Sequence, residues 1–243
     1  MKRYYSPTLD RGFLDEEQSH HCAQVMRQAV GDLFAVFDGH GTEAKARITE
    51  IARDQVKFQI LAKAASVQPT HPVWLAQALT KAKSMDLIIE KATELGVSEL
   101  APLQSDHSVA HVGDEKAEAK VEKWRKLTIE AAKQCGQNWL PVVHPPQAPK
   151  DFVAALPKGA VKLIASLQNE AKPLKGVLRE QLAGLKPGTP IVVMIGPEGD
   201  FTPAEIGQAR AAGFHPVSLG KIILRAETAA FFALGAIAYE LME

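Results

Sequence analysis

The chain has 243 residues, with 28 basic and 28 acidic side chains that cancel to a formal net charge of zero. That length suffices for one large domain or two smaller ones with ample core, and the balance excludes a global basic field, so any nucleic-acid surface must be a local patch. Only two cysteines, Cys22 and Cys135, lie far apart in sequence, which fits a reducing cytosol better than a disulfide scaffold.

In chain order, Met1 to Pro7 lacks the apolar core of a signal peptide, so a cytoplasmic location is expected. Residues 12 to 30 predict a helix with Cys22, Val25 and Met26 apolar on one face. From Asp32 the pattern turns strand-like. Leu33 to Phe37 leads into Asp38-Gly39-His40-Gly41, a hairpin signal rather than a dinucleotide fingerprint. Ala46, Ile48 and Ile51, then Val56, Phe58 and Ile60, fall near period two, so several short antiparallel strands predict a small β-barrel. Gln68-Pro69-Thr70-His71-Pro72 reads as a linker, since its prolines suit neither strand nor helix. The expected division is therefore 1–70 and 71–243.

Beyond the linker, strands and helices alternate. Strands are predicted at Val73 to Leu79, Leu100 to Leu103, Val142-Val143 and Val161 to Leu167. Between them fall helices at Met85 to Leu95, stopped by Gly96, at Lys116 to Cys135, followed by Gly136, and at Phe152 to Leu156; another at Leu174 to Leu182 comes after the last strand. Such alternation argues for an α/β fold with a mostly parallel sheet covered on both faces.

Ile191 to Thr228 is the chemically informative stretch. Ile191 to Ile195 is a buried strand; the chain then turns through Gly196-Pro197-Glu198-Gly199-Asp200. Thr202 suits a helix N-cap, Pro203 the first helical position, Glu205 a capping box, and Gly213 a stop. Pro216 to Leu219 forms a second strand, Gly220 to Leu224 a loop, and a helix starts near Ala226. Two successive strand-to-helix turns are where an open α/β sheet binds its ligand. The last helix, Ala229 to Tyr239, is apolar nearly all round and must be buried on more than one side. Its second partner is either another subunit or the interior of its own domain. A span of Thr228 to Met242 is shorter than the roughly 20 residues a membrane helix needs, so no membrane is expected. His20-His21-Cys22 has no partner at metal-binding spacing, and no metal is expected.

Gly196-Pro197-Glu198-Gly199, Phe201-Thr202, Leu219-Gly220 and Ile223-Leu224-Arg225-Ala226-Glu227-Thr228-Ala229 together resemble the RsmE-type methyltransferases of the SPOUT class, which methylate N3 of a uridine in small-subunit ribosomal RNA. Lys91 to Val97, Glu130 to Gln134 and His21 to Gly31 are similar to further family signatures. The resemblance implies a PUA-like RNA-binding β-barrel at 1–70 and a SPOUT domain at 71–243 with a C-terminal trefoil knot. It also implies S-adenosyl-L-methionine as cofactor, ribosomal RNA or the assembled 30S subunit as substrate, and a homodimer through the knot helices. The chain departs from the pattern at Asp200, usually Gly, and at Lys221-Ile222, usually Pro-Arg. Ser105-Asp106-His107-Ser108 stands for Ser-Glu-Arg-Ser, and an Arg common near Gln137 is missing.

On this resemblance the cofactor would be held by Leu167, Met194, Ile195, Gly196, Pro197, Gly199, Leu219, Gly220, Ile223, Leu224, Thr228 and Ala229. Glycines at 196, 199 and 220 let backbone approach a ligand closely. Uracil N3-H must lose its proton before it attacks. Arg225 is the expected stabiliser of the developing uracilate, and Glu198 the group that orients the base or accepts the proton. The structural alternatives are a salt bridge from Arg225 to Glu227 and a Glu198 cap on the Phe201-Thr202 turn. Arg3, Arg11, Arg27, Lys81, Lys83 and Lys91 are candidates for phosphate contact, each of which could equally be an ordinary solvated charge. The competing function is a non-catalytic RNA-binding protein that retains the fold. A dehydrogenase is disfavoured because no strand precedes a Gly-x-Gly-x-x-Gly.

Overall fold

Period-two burial builds the first sheet. In the computed structural model, which describes residues 1–242, strands β1 (Arg3–Tyr5), β2 (Leu33–Phe37), β3 (Thr42–Ile51) and β4 (Val56–Ala65) lie side by side in that order. Tyr4, Phe34, Val36, Ala44, Ala46, Ile48, Val56 and Phe58 point into one cluster. The β2–β3 and β3–β4 ladders are antiparallel, as expected, but β1 joins β2 in parallel. Among the described residues no ladder returns from β4 to β1, so the sheet is open rather than a hydrogen-bonded barrel. The segment around Phe13 borders β4 in place of β1.

The helix expected at 12 to 30 is shorter. Asp15 caps α1 (Glu16–His20) by accepting from the Gln18 N–H, and a π turn, His21–Val25, completes it. Cys22 is buried, but Val25 is 57% exposed. The left-handed backbone of Arg27, with φ of 51°, stops the segment there. These elements, Met1–Gln68, form one compact unit together with Ile129–Leu140. That returning segment explains the hairpin glycine: a Cβ on Gly41 would sit 2.3 Å from the Trp139 ring.

The second unit comprises Pro69–Thr128 and the residues from Pro141 onward. Its elements are β5 (Val73–Ala78), α2 (Ala82–Glu94), β6 (Glu99–Leu103), α3 (Asp114–Cys135), whose end belongs to the first unit, β7 (Val142–Val143) and α4 (Pro149–Ala155). There follow β8 (Val161–Ala165), β9 (Lys172–Pro173), α5 (Leu174–Leu182), β10 (Ile191–Ile195), α6 (Pro203–Ala211), β11 (His215–Ser218) and α7 (Ala226–Glu240). The sheet order is β7-β6-β5-β10-β8-β11-β9, and each ladder is parallel. Residues of β10 alternate between two apolar layers. Ile191, Val193 and Ile195 face α2, α5 and α7; Val192 and Met194 face α4 and α6. Burial on both sides is what makes β10 a continuous apolar run.

On α7, Ala229, Ala230, Ala233, Leu234 and Ile237 are buried, while Phe232 is 50% and Tyr239 73% exposed. This helix is therefore not enclosed within the chain. No helix of the described residues is long and apolar enough to cross a membrane.

Candidate active site

Strand order decides where a site can form. β10 sits between β5 and β8 although four strands separate it from β5 in sequence, and this crossover opens a crevice at the carboxyl ends of β8, β10 and β11. The loops leaving those strands enclose a cavity of about 410 Å³, within the range for small-molecule sites of roughly 300–1,000 Å³.

Gly196 and Gly220 share this cavity with Leu167, Ile195, Pro197, Glu198, Leu219, Ile223, Leu224 and Ala229. Four expected site residues do not line it. Met194 is buried in β10, Gly199 lies beside His107, Thr228 is exposed on α7, and Arg225 stands exposed at the α7 N-cap between the lining residues Leu224 and Ala226. Sequence reasoning named only Leu167 from the loop after β8. That loop also contributes Ser166, Gln168, Asn169 and Ala171. Its signal is positional: β8 is the neighbour of both β10 and β11.

The walls suit a ligand with an apolar face. Ile223 is 76% and Leu167 59% exposed at the rim, and exposed apolar groups around a crevice mark binding surfaces. A Cβ on Gly196 would stand 3.2 Å from the Phe201 backbone nitrogen and the Asp200 carboxylate, so a side chain there would press on the turn and shift its neighbours by a few tenths of an ångström.

Hydrogen bonding resolves two alternatives. The Phe201-Thr202 turn is capped without Glu198: Phe201 N–H donates to Asp200 Oδ1 at 2.8 Å and Thr202 N–H to Glu205 Oε2 at 2.8 Å. Thr202 and Glu205 form the expected capping box on α6. The other Glu205 oxygen accepts from the Asp106 N–H at 3.1 Å, fastening the loop after β6 to α6. Among the described residues Arg225 makes no ion pair with Glu227 or any other carboxylate, which leaves its guanidinium available.

The six basic residues differ in environment. Arg3 is directed inward, with its side chain 11% exposed, and this corrects its reading as a phosphate contact. It pairs with Glu43 at 3.2 Å, donates to Asn138 Oδ1 at 2.5 Å and stacks over the Phe37 ring. Burial lowers its pKa, and Glu43 partly offsets this. Lys91 is held by Glu90 and Glu94, both at 2.8 Å. Arg11, Arg27, Lys81 and Lys83 are exposed and make no ion pair among the described residues. No cluster of potential metal ligands occurs there either.

Comparison with known proteins adds identity to this geometry. An RNA methyltransferase domain model matches residues 67–238, and an RNA methyltransferase PUA domain model matches residues 14–61. Ribosomal RNA small subunit methyltransferase E of Synechocystis is 34% identical over 92% of this chain and 71% of its own length. Its Bacillus subtilis counterpart is 29% identical over 92% of this chain and 88% of its own length. In three dimensions the chain is similar to the Neisseria gonorrhoeae ribosomal RNA small subunit methyltransferase E bound to S-adenosyl methionine. The TM-score is 0.86, with 30% identity over 99% of this chain and 98% of that one. The parallel sheet, the cavity at its switch point, the PUA domain and these likenesses agree: the chain belongs to the ribosomal RNA small subunit methyltransferase E family of RNA methyltransferases.

Proposed function

We propose that this protein transfers the methyl group of S-adenosyl-L-methionine to N3 of a uridine in small-subunit ribosomal RNA. The observation that carries the proposal is the meeting of the Gly196 and Gly220 bends with the loop after β8 around one cavity. Bound there, the cofactor supplies an electrophilic methyl group. Leu219, Ile223 and Leu224 contribute apolar surface for its adenine, and Ile195 and Gly196, which also line the cavity, offer backbone groups for polar contact. Arg225 carries a positive charge beside the site and stabilises the uracilate that forms as N3 loses its proton. Glu198, at the cavity and free of a capping role, orients the base or takes that proton directly or through water. Holding nitrogen and methyl in line supplies much of the acceleration.

The same reading extends to the whole chain. Residues 1–70 act as the PUA-like RNA-binding domain and 71–243 as the methyltransferase domain, whose C-terminal segment forms a trefoil knot. Support for the knot is the insertion of β10 between β5 and β8 and the return of Leu219 to Leu224 to the loops after β8 and β10. Exposed Phe232 and Tyr239 on the otherwise apolar α7 support a homodimer through that helix. The substrate is ribosomal RNA or the 30S subunit, met in the cytoplasm.

Labelled methyl transfer to small subunits or their RNA, prepared from cells lacking the modification, tests the proposal. Label at uridine N3 is expected; tight cofactor binding without transfer would favour a non-catalytic RNA-binding protein.

A further inference from the structure

Asp200 is one of two non-glycine residues with positive φ among those described, at 60°. An L-residue held there costs on the order of 1 kcal/mol or more, so the surrounding contacts must stabilise it. Its N–H donates to the Pro197 carbonyl at 3.0 Å, closing the turn after β10. Both carboxylate oxygens are engaged. Oδ1 accepts from the Phe201 N–H at 2.8 Å, and Oδ2 accepts from the Leu167 N–H at 3.1 Å, in the loop after β8. Its carbonyl lies 3.0 Å from Nδ1 of His107, in the loop after β6. A carbonyl can only accept, so His107 Nδ1 is the donor.

Three loops thus converge on one residue. Among the described residues, no other hydrogen bond joins the loop after β8 to the turn after β10. Both Asp200 and Leu167 line the cavity, so this bond sets the separation of two of its walls. We infer that Asp200 is a positioning residue, tying the β6, β8 and β10 loops into a single preformed wall of the methyl-donor pocket. The inference rests on the reading of that cavity as the cofactor site. A preformed pocket spends less binding free energy on ordering its loops, so the consequence belongs to affinity rather than to the chemical step.

Asp200→Gly tests this directly, because glycine accepts the backbone conformation and removes both carboxylate bonds. Its dissociation constant for S-adenosylmethionine, by titration calorimetry, should rise about tenfold or more. KM for the cofactor should rise in parallel, while kcat at saturation falls far less. Asp200→Asn, which replaces one acceptor oxygen by a donor, should give an intermediate rise. His107→Ala, which leaves both carboxylate bonds, should give a smaller one. Should Asp200→Gly fail to fold, Asp200→Asn decides by the same readouts. Wild-type affinity in both Asp200 variants would overturn the inference and leave the site assignment standing. A wild-type chain that binds no donor would overturn both.

Discussion

Arg225 is exposed and unpaired beside a cavity whose lining residues are mostly apolar. An unpaired guanidinium has no structural task that its removal would disturb. Arg225→Ala is therefore expected to abolish methyl transfer while cofactor affinity stays within about tenfold, measured by single-turnover transfer alongside calorimetry. Normal turnover would remove Arg225 from the mechanism. His21 shows a different kind of coupling. Its pKa is held below the ordinary 6.5 by burial first and by the Lys133 ammonium second. The Lys133 Nζ lies 3.2 Å from Nδ1, a contact in which only the lysine can donate, so the imidazole there is neutral. Between the folded and unfolded pKa values the unfolded chain binds more protons, so stability rises with pH across that window. Acidifying from about pH 7 to about pH 5 should lower the urea midpoint, and His21→Gln should flatten the dependence. An unaltered slope would show that another group dominates the titration.

At the scale of elements, the capping box at the start of α6 is a local device with a long-range attachment. Thr202→Ala removes one side-chain cap and should cost about 1 kcal/mol in urea unfolding. Glu205→Ala should cost more, on the order of 2–3 kcal/mol. The Glu205 side chain also serves the Asp106 N–H, and the residue is only 8% exposed. Equal costs would mean that the tie to the loop after β6 contributes nothing. Box, helix and stop at Gly213 were legible in advance because each is written within a few adjacent residues. The barrel expected for residues 1–70 was not, because whether β4 finds β1 depends on partners distant in sequence. The helix at 12 to 30 was overextended for a related reason: apolar spacing continued past Asp15 and Arg27, but backbone geometry at both points ended it.

For the whole molecule, zero net charge leaves RNA binding to local cations. Arg11 and Arg27 on one unit and Lys81 and Lys83 on the other are exposed without ion pairs. Replacing Arg11, Lys81 and Lys83 together by Gln should weaken RNA binding. The slope of log affinity against log salt should flatten by roughly 0.7–0.9 for each phosphate that is no longer neutralised. Adding Arg3→Gln should instead lower stability, since its guanidinium is committed to Glu43, Asn138 and Phe37. An unchanged salt slope in the triple variant would exclude these three side chains from phosphate contact.

The sequence by itself determined the alternation of strand and helix, the two glycine bends and the family they belong to. Those properties depend on residues within a few positions of one another, where propensity, capping and turn chemistry act. Only the tertiary structure decided that β10 enters between β5 and β8, that Trp139 covers Gly41, and that Arg3 turns inward. It likewise brought His107, Leu167 and Asp200 to one point. Those outcomes are set by burial and hydrogen bonding between segments far apart along the chain, for which no local pattern carries a signal.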